Sequence, residues 1–173
     1  IGQITDLRGV SMKGDKLFVG AGTKHVEVSR NDLVKQKIPA LASLAYGIGD
    51  PQVRNQGTIG GSLAYNDPSA CYPSATLALN AVIHTDTRDI AADDFFLGLY
   101  QTALQPGELI RAVTFQKPVS AAYIKFKHPA SKLALVGVFV ARFKDHVRVG
   151  VTGAPLFTNV DFQKMFAVRD TPP

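Results

Sequence analysis

The chain has 173 residues, 46% of them hydrophobic and 19% charged, enough for one sizeable core or a core with a small appended layer. It has no uninterrupted apolar run of the ~18 to 20 residues that a membrane span requires, and its start, Ile1-Gly2-Gln3-Ile4-Thr5-Asp6, has no basic-then-apolar leader, which points to a soluble cytoplasmic protein. The single cysteine, Cys71, excludes an internal disulfide framework and a multi-cysteine zinc or iron–sulfur site within the chain.

The elements follow in chain order. Gly14-Asp15 marks a turn, and residues 16–21 alternate as a short strand should. After Gly22, residues 29–31 offer helix caps. Residues 38–48 place Ile38, Leu41, Leu44, Ala45 and Ile48 at helical spacing, with Pro39 in the first turn and Gly47 and Gly49 at the end. Residues 49–73 show almost no periodicity and are dense in glycine and polar side chains, which predicts a long working loop. Pro73 then opens a helical segment over residues 74–81, followed by a strand over 82–85 and a shorter one over 88–90. A capped helical turn with an aromatic face is expected over 91–96. Residues 109–115, 121–127, 133–143 and 147–151 are β-rich, and Lys144-Asp145-His146 reads as a hairpin turn. After Gly153 the pattern degrades toward a frayed end at residues 171–173. The predicted class is α+β, an antiparallel β-sheet with flanking helices.

The net charge of +5 is uneven. Arg111, Lys117, Lys125, Lys127, Lys132, Arg142, Lys144 and Arg148 face one acid, Asp145, within residues 109–150. Such a run is either a solvated sheet face or the surroundings of an anion. It contains no recognition helix and no aromatic platform, so nucleic acid is not the expected partner.

The chemistry concentrates at Gly57-Thr58-Ile59-Gly60-Gly61-Ser62. Glycines there let the main chain approach a ligand, so that successive amides, with the Thr58 and Ser62 hydroxyls, would converge on one anionic group such as a diphosphate. The motif is neither a Walker A loop nor the Gly-x-Gly-x-x-Gly dinucleotide fingerprint.

Residues 50–62, Asp-Pro-Gln-Val-Arg-Asn-Gln-Gly-Thr-Ile-Gly-Gly-Ser, continued by Asp67-Pro68-Ser69-Ala70-Cys71-Tyr72-Pro73 and a helix, resemble the second flavin-binding motif of the molybdenum hydroxylase flavin subunits. The likeness is to the medium chain of carbon monoxide dehydrogenase-type enzymes and, more distantly, to the flavin domain of xanthine dehydrogenase. It runs from about Leu7 to Gly153, through residues 90–96 and Pro106-Gly107-Glu108-Leu109-Ile110.

The resemblance implies an FAD-binding sheet subdomain over residues 1–118, lacking an N-terminal flavin subdomain. It also implies the start of a small α+β C-terminal domain over residues 119–173. By matching position, Thr58, Ile59, Gly60 and Gly61 would contact the diphosphate and Ser62 a polar part of the flavin. Cys71 falls where many relatives have an aspartate, Ile110 in a segment along the cofactor, and Lys125 and Leu133 near the isoalloxazine. Lys125 is the candidate cation for reduced, anionic flavin.

The implied function is that of an oxidoreductase subunit. Electrons would leave a substrate at the molybdenum cofactor of a large subunit and pass through two [2Fe–2S] clusters on a small subunit. They would then reduce FAD on this chain and go to an external acceptor. No catalytic acid or base and no metal ligand is expected here, since the cofactor carries the chemistry.

Two departures stand against the family pattern. The earlier Ala-Gly-Gly-x-Ser/Asp diphosphate motif has no counterpart, so the chain looks like a fragment gripping the diphosphate from one side, and residues 153–156 look like a junction of segments. Cys71 replaces a carboxylate with a weaker hydrogen-bonding thiol. A docking subunit that keeps the fold without flavin, and a regulatory module binding another nucleotide, are the rival readings. Among other residues, His25, His84, His128 and His146 lack ligand spacing. Asp93 and Asp94 read as helix caps, Arg54 as either a phosphate contact or a loop pin, and Tyr65 and Tyr72 as packing residues.

Overall fold

The computed structural model describes residues 4–153; the expected junction at 153–156 past its first residue, the frayed end at 171–173 and the remainder of the expected C-terminal domain lie outside the described residues. After a 3-10 turn at Thr5–Leu7, a hairpin joins β1 (Val10–Lys13) to β2 (Lys16–Gly20). Lys13 pairs with Lys16 and Gly14 takes φ +62°, as a two-residue turn with glycine first requires. Three helices follow, α1 (His25–Arg30), α2 (Asp32–Lys37) and α3 (Pro39–Tyr46). Asn31 caps α2 by accepting from the Leu33 and Val34 amides, and Pro39 opens α3.

The expected loop over 49–73 contains two short helices, α4 (Pro51–Gln56) and α5 (Ile59–Tyr65). Asp50 Oδ1 accepts from the Val53 amide at 2.9 Å and Thr58 Oγ1 from the Gly61 amide at 3.2 Å, so each helix starts at a side-chain cap. α5 stops where Asn66 turns left-handed at φ 49°. The chain continues through α6 (Tyr72–Ala78), β3 (Val82–Thr85), β4 (Asp89–Ala91), α7 (Ala92–Phe95) and a small hairpin of β5 (Phe96–Gly98) and β6 (Gln101–Thr102). β7 (Ile110–Phe115), β8 (Ser120–Lys127), β9 (Ala134–Arg142) and β10 (Val147–Thr152) complete it.

A five-stranded antiparallel sheet has the order β1-β2-β7-β3-β4, and β10-β9-β8 form a second antiparallel sheet. The class is α+β, as expected. In the first sheet the central strand β7 is buried along most of its length, while β2 buries Leu17 and Val19 and turns Phe18 outward. Those inward residues meet Leu41, Leu44, Ile59, Leu63 and Phe95 in one continuous core, each fully buried side chain contributing about 1.5–3 kcal/mol.

The second sheet lies on α6 so closely that a Cβ at Gly150 would stand 2.1 Å from the Ser74 carbonyl oxygen. Arg148, 7% exposed, reaches back from β10 to the Leu77 carbonyl and forks onto both oxygens of Asp93 at 2.6 and 2.8 Å. Asp93 therefore ties two layers together instead of capping α7, whose first turn has no side-chain cap. The eight basic residues of 109–150 are dispersed by this arrangement: Arg148 is internal, and Arg142 bonds Ser120 at the strand edge.

Candidate functional site

Two clefts adjoin at the start of α5. The first, about 450 Å³, is bounded by His25, the loop after α3 (Ile48, Gly49), α5 (Gly61, Ser62, Tyr65), the turn into α6 (Asp67, Ser69, Ala70, Cys71), Lys125 of β8, and Lys132 and Leu133 of the β8–β9 turn. The second, about 500 Å³, lies between α5 and the first sheet and is lined by Ala21, Gly22, Lys24, Leu104, Leu109 and Ile110 among others. Gln56, Thr58 and Gly61 border both.

Of the nine residues singled out from the sequence, eight reach these clefts. Thr58 and Gly61 face both, Ser62, Cys71, Lys125 and Leu133 the first, and Gly60 and Ile110 the second. Ile59 is fully buried and anchors the turn to the core.

The anion cradle expected from successive amides takes another form. The Ile59 amide donates to the Thr23 carbonyl at 3.1 Å and the Gly60 amide to the Ala21 carbonyl at 2.9 Å. The Gly61 amide goes to Thr58 Oγ1. These amides hold α5 against the β2–α1 connection, so the donors left for a ligand are hydroxyls and side-chain amides. Thr58 accepts through Oγ1 and keeps its own proton to give, while the Ser62 hydroxyl and the Gln56 amide make no hydrogen bond among the described residues.

The glycines serve contact instead of positive φ. A Cβ at Gly60 would stand 2.5 Å from Ala21 Cβ, and one at Gly57 would stand 2.4 Å from His25 Nε2. A Cβ at Gly61 would meet only Thr58 Oγ1, at 3.1 Å, so that backbone stands open to the clefts. Arg54 is a loop pin, donating to the Ile48 and Gly49 carbonyls at 2.9 and 3.1 Å.

Lys125 occupies the floor of the first cleft with its ammonium fully engaged. It donates to the Gly47 carbonyl at 2.6 Å, the Lys132 carbonyl at 3.1 Å and Cys71 Sγ at 3.5 Å. It thereby joins β8 to the loop after α3 and the start of α6, and the buried thiol of Cys71 meets a cation. Tyr123 Oη and Tyr72 Oη are buried without hydrogen-bond partners among the described residues. Burial, and secondarily Cys71, pushes both phenols well above their ordinary range.

His25 was legible only as a residue without metal-ligand spacing; its place at the cleft depends on the tertiary pairing of its amide with the Gly57 carbonyl, at 3.0 Å. Burial, with Arg54 nearby, lowers its pKa to about 4. Tyr65 lines the first cleft and Tyr72 is core. Among the described residues no cluster of His, Cys, Asp and Glu has metal-binding geometry, and no helix is long and apolar enough to cross a membrane.

Comparison with known proteins defines the class. Residues 1–118 match the family described as the FAD binding domain in molybdopterin dehydrogenase, and the chain belongs to that family. It is 34% identical over 164 residues to the carbon monoxide dehydrogenase medium chain of Hydrogenophaga pseudoflava, covering 88% of this chain and 57% of that one. It is 32% identical over 165 residues to the nicotine 6-hydroxylase medium subunit of Paenarthrobacter nicotinovorans, covering 89% and 58%. The structure superposes on carbon monoxide dehydrogenase from Hydrogenophaga pseudoflava with a TM-score of 0.82 at 33% identity, covering 88% of this chain and 57% of that chain. On quinoline 2-oxidoreductase from Pseudomonas putida 86 the TM-score is 0.80 at 26% identity, covering 87% and 56%. The chain thus spans a little over half the length of these relatives. It is similar to FAD-binding subunits of molybdenum hydroxylase-type dehydrogenases.

Proposed function

We propose that FAD lies across the start of α5, with its diphosphate at Thr58, Gly60, Gly61 and Ser62. The flavin would extend into the first cleft toward Cys71, Lys125 and Leu133, and the other arm of the dinucleotide along Ile110 in the second cleft. The observation that carries this reading is the union of two clefts of about 450 and 500 Å³ at one open glycine, Gly61. A long two-armed ligand fits such a pair of cavities better than a mononucleotide does. Ile59 contributes by fixing the turn from within the core, and the Thr58 and Ser62 hydroxyls supply the polar contacts.

Bound FAD supplies the redox chemistry; this chain supplies position, a dry apolar wall and hydrogen-bond donors. The similarity to medium chains of carbon monoxide dehydrogenase and nicotine 6-hydroxylase supports a subunit role. In it, electrons arrive from [2Fe–2S] clusters on a small subunit, after substrate oxidation on a large molybdenum-binding subunit, and leave through FAD to an external acceptor in the cytoplasm. The division into a flavin-binding portion at 1–118 and a C-terminal domain from 119 coincides with the change from one sheet to the other after β7. Lys125 acts in this scheme as the tie between the second sheet and the helices at the flavin's edge, through its bonds to the Gly47 carbonyl and Cys71 Sγ.

Replacing Thr58 by Val and Ser62 by Ala in the full-length protein is expected to weaken FAD binding about tenfold for each hydrogen bond lost, followed by flavin fluorescence during titration. Unchanged affinity in the double variant would remove the diphosphate from this turn. Failure of the parent protein to bind any FAD would favour a docking subunit that has kept the fold alone.

A further inference from the structure

His25 sits at the first position of α1 and is 5% exposed, yet its side chain forms part of the wall of the first cleft. The Tyr72 ring packs against it at 5.3 Å. Its Nδ1 is buried with no partner among the described residues. Its Nε2 lies beside Gly57, where any Cβ would come within 2.4 Å of it. Position 57 has no room for a side chain beside the imidazole, and the His25 amide bonded to the Gly57 carbonyl fixes that arrangement. A buried N–H without an acceptor costs more than a buried lone pair without a donor, so the neutral ring keeps its proton on Nε2, at the cleft.

We infer that His25 is a ligand-contacting residue, donating a hydrogen bond from Nε2 to an oxygen of the dinucleotide bound in the first cleft, and that Gly57 exists to admit this ring. The inference rests on the flavin reading above. The depressed pKa is consistent with it, because a ring that stays neutral offers one defined donor and no competing charge. The acceptor is either a diphosphate oxygen or an oxygen of the ribityl–flavin portion, and the two are separable by ligand.

The test is titration of the full-length protein and its His25→Leu variant with FAD and, separately, with riboflavin, alongside urea unfolding of the flavin-free forms. Loss of a contact predicts FAD affinity lowered about tenfold, with the unfolding midpoint of the flavin-free protein kept or raised, since leucine removes an unsatisfied buried group. Weakening of riboflavin to the same degree assigns the bond to the ribityl–flavin portion; weakening confined to FAD assigns it to the diphosphate. Equal FAD affinity in parent and variant, in a parent that binds FAD, overturns the inference and leaves the flavin reading intact. A parent that binds no FAD overturns both. If His25→Leu does not fold, imidazole nitrogen NMR of the parent decides: the Nε2 resonance of His25 moves on adding FAD, or the inference fails.

Discussion

A methyl group at position 60 would stand 2.5 Å from Ala21 Cβ and 2.9 Å from the Ala21 carbonyl oxygen, the same carbonyl that receives the Gly60 amide. Neither side can yield without breaking that bond, so Gly60→Ala is expected to cost about 1–3 kcal/mol in urea unfolding. An unchanged midpoint would mean that α5 slides freely on β2. His25 makes a prediction of a different kind. Its pKa is about 4 in the fold against 6.5 when free, so between those values the unfolded chain holds the extra proton. Stability therefore declines as pH falls from 6.5 toward 4, by at most about 3 kcal/mol. This residue adds nothing above that window and nothing further below it. His25→Gln should flatten that part of the stability–pH curve, and a curve of unaltered slope would place the acid sensitivity elsewhere. The glycines and hydroxyls of the turn were legible in the sequence; the use of its amides was not, because the carbonyls that take them belong to Ala21 and Thr23, far earlier in the chain.

At the scale of elements, Asn66 decides how α5 ends. It is 3% exposed and left-handed at φ 49°, and its Nδ2 donates to the Gly98 and Gln101 carbonyls, each at 2.8 Å. One side chain thus fixes the β5–β6 hairpin beside the first cleft. Asn66→Ala is expected to destabilise by about 2–3 kcal/mol, from two lost hydrogen bonds and a strained backbone. Asn66→Gly should recover roughly 1 kcal/mol of that, since glycine accepts the left-handed turn. Equal losses in the two variants under urea would show that backbone strain plays no part. The helix expected over 74–81, the strands from β7 to β10 and the 144–146 hairpin could be read from periodicity and turn residues, though α6 begins earlier, at Tyr72, and ends earlier, at Ala78. α4 and α5 could not, because six or seven residues give too few turns for a pattern and depend on caps and tertiary packing for their stability. The placement of β7 between β2 and β3 arises from long-range pairing with no local signature.

For the molecule as a whole, the second sheet is fastened to the helices at two points by its own cations: Arg148 onto Asp93 of α7 and Leu77 of α6, and Lys125 onto Gly47 after α3 and Cys71 before α6. The second junction is also the floor of the first cleft, so the packing of the second sheet on the helices shapes the proposed flavin site. Thr58 and Lys125 were singled out in the sequence by resemblance, whereas their places on one cleft, and the wall that His25 contributes to it, exist only in the folded chain. The most direct measurement is titration of the full-length protein, freed of bound cofactor, with FAD, following visible absorbance and fluorescence after removal of unbound flavin. The account predicts saturable retention of one FAD per chain, lost on the combined replacement of Thr58 and Ser62. A correctly folded full-length protein that retains no FAD would contradict it.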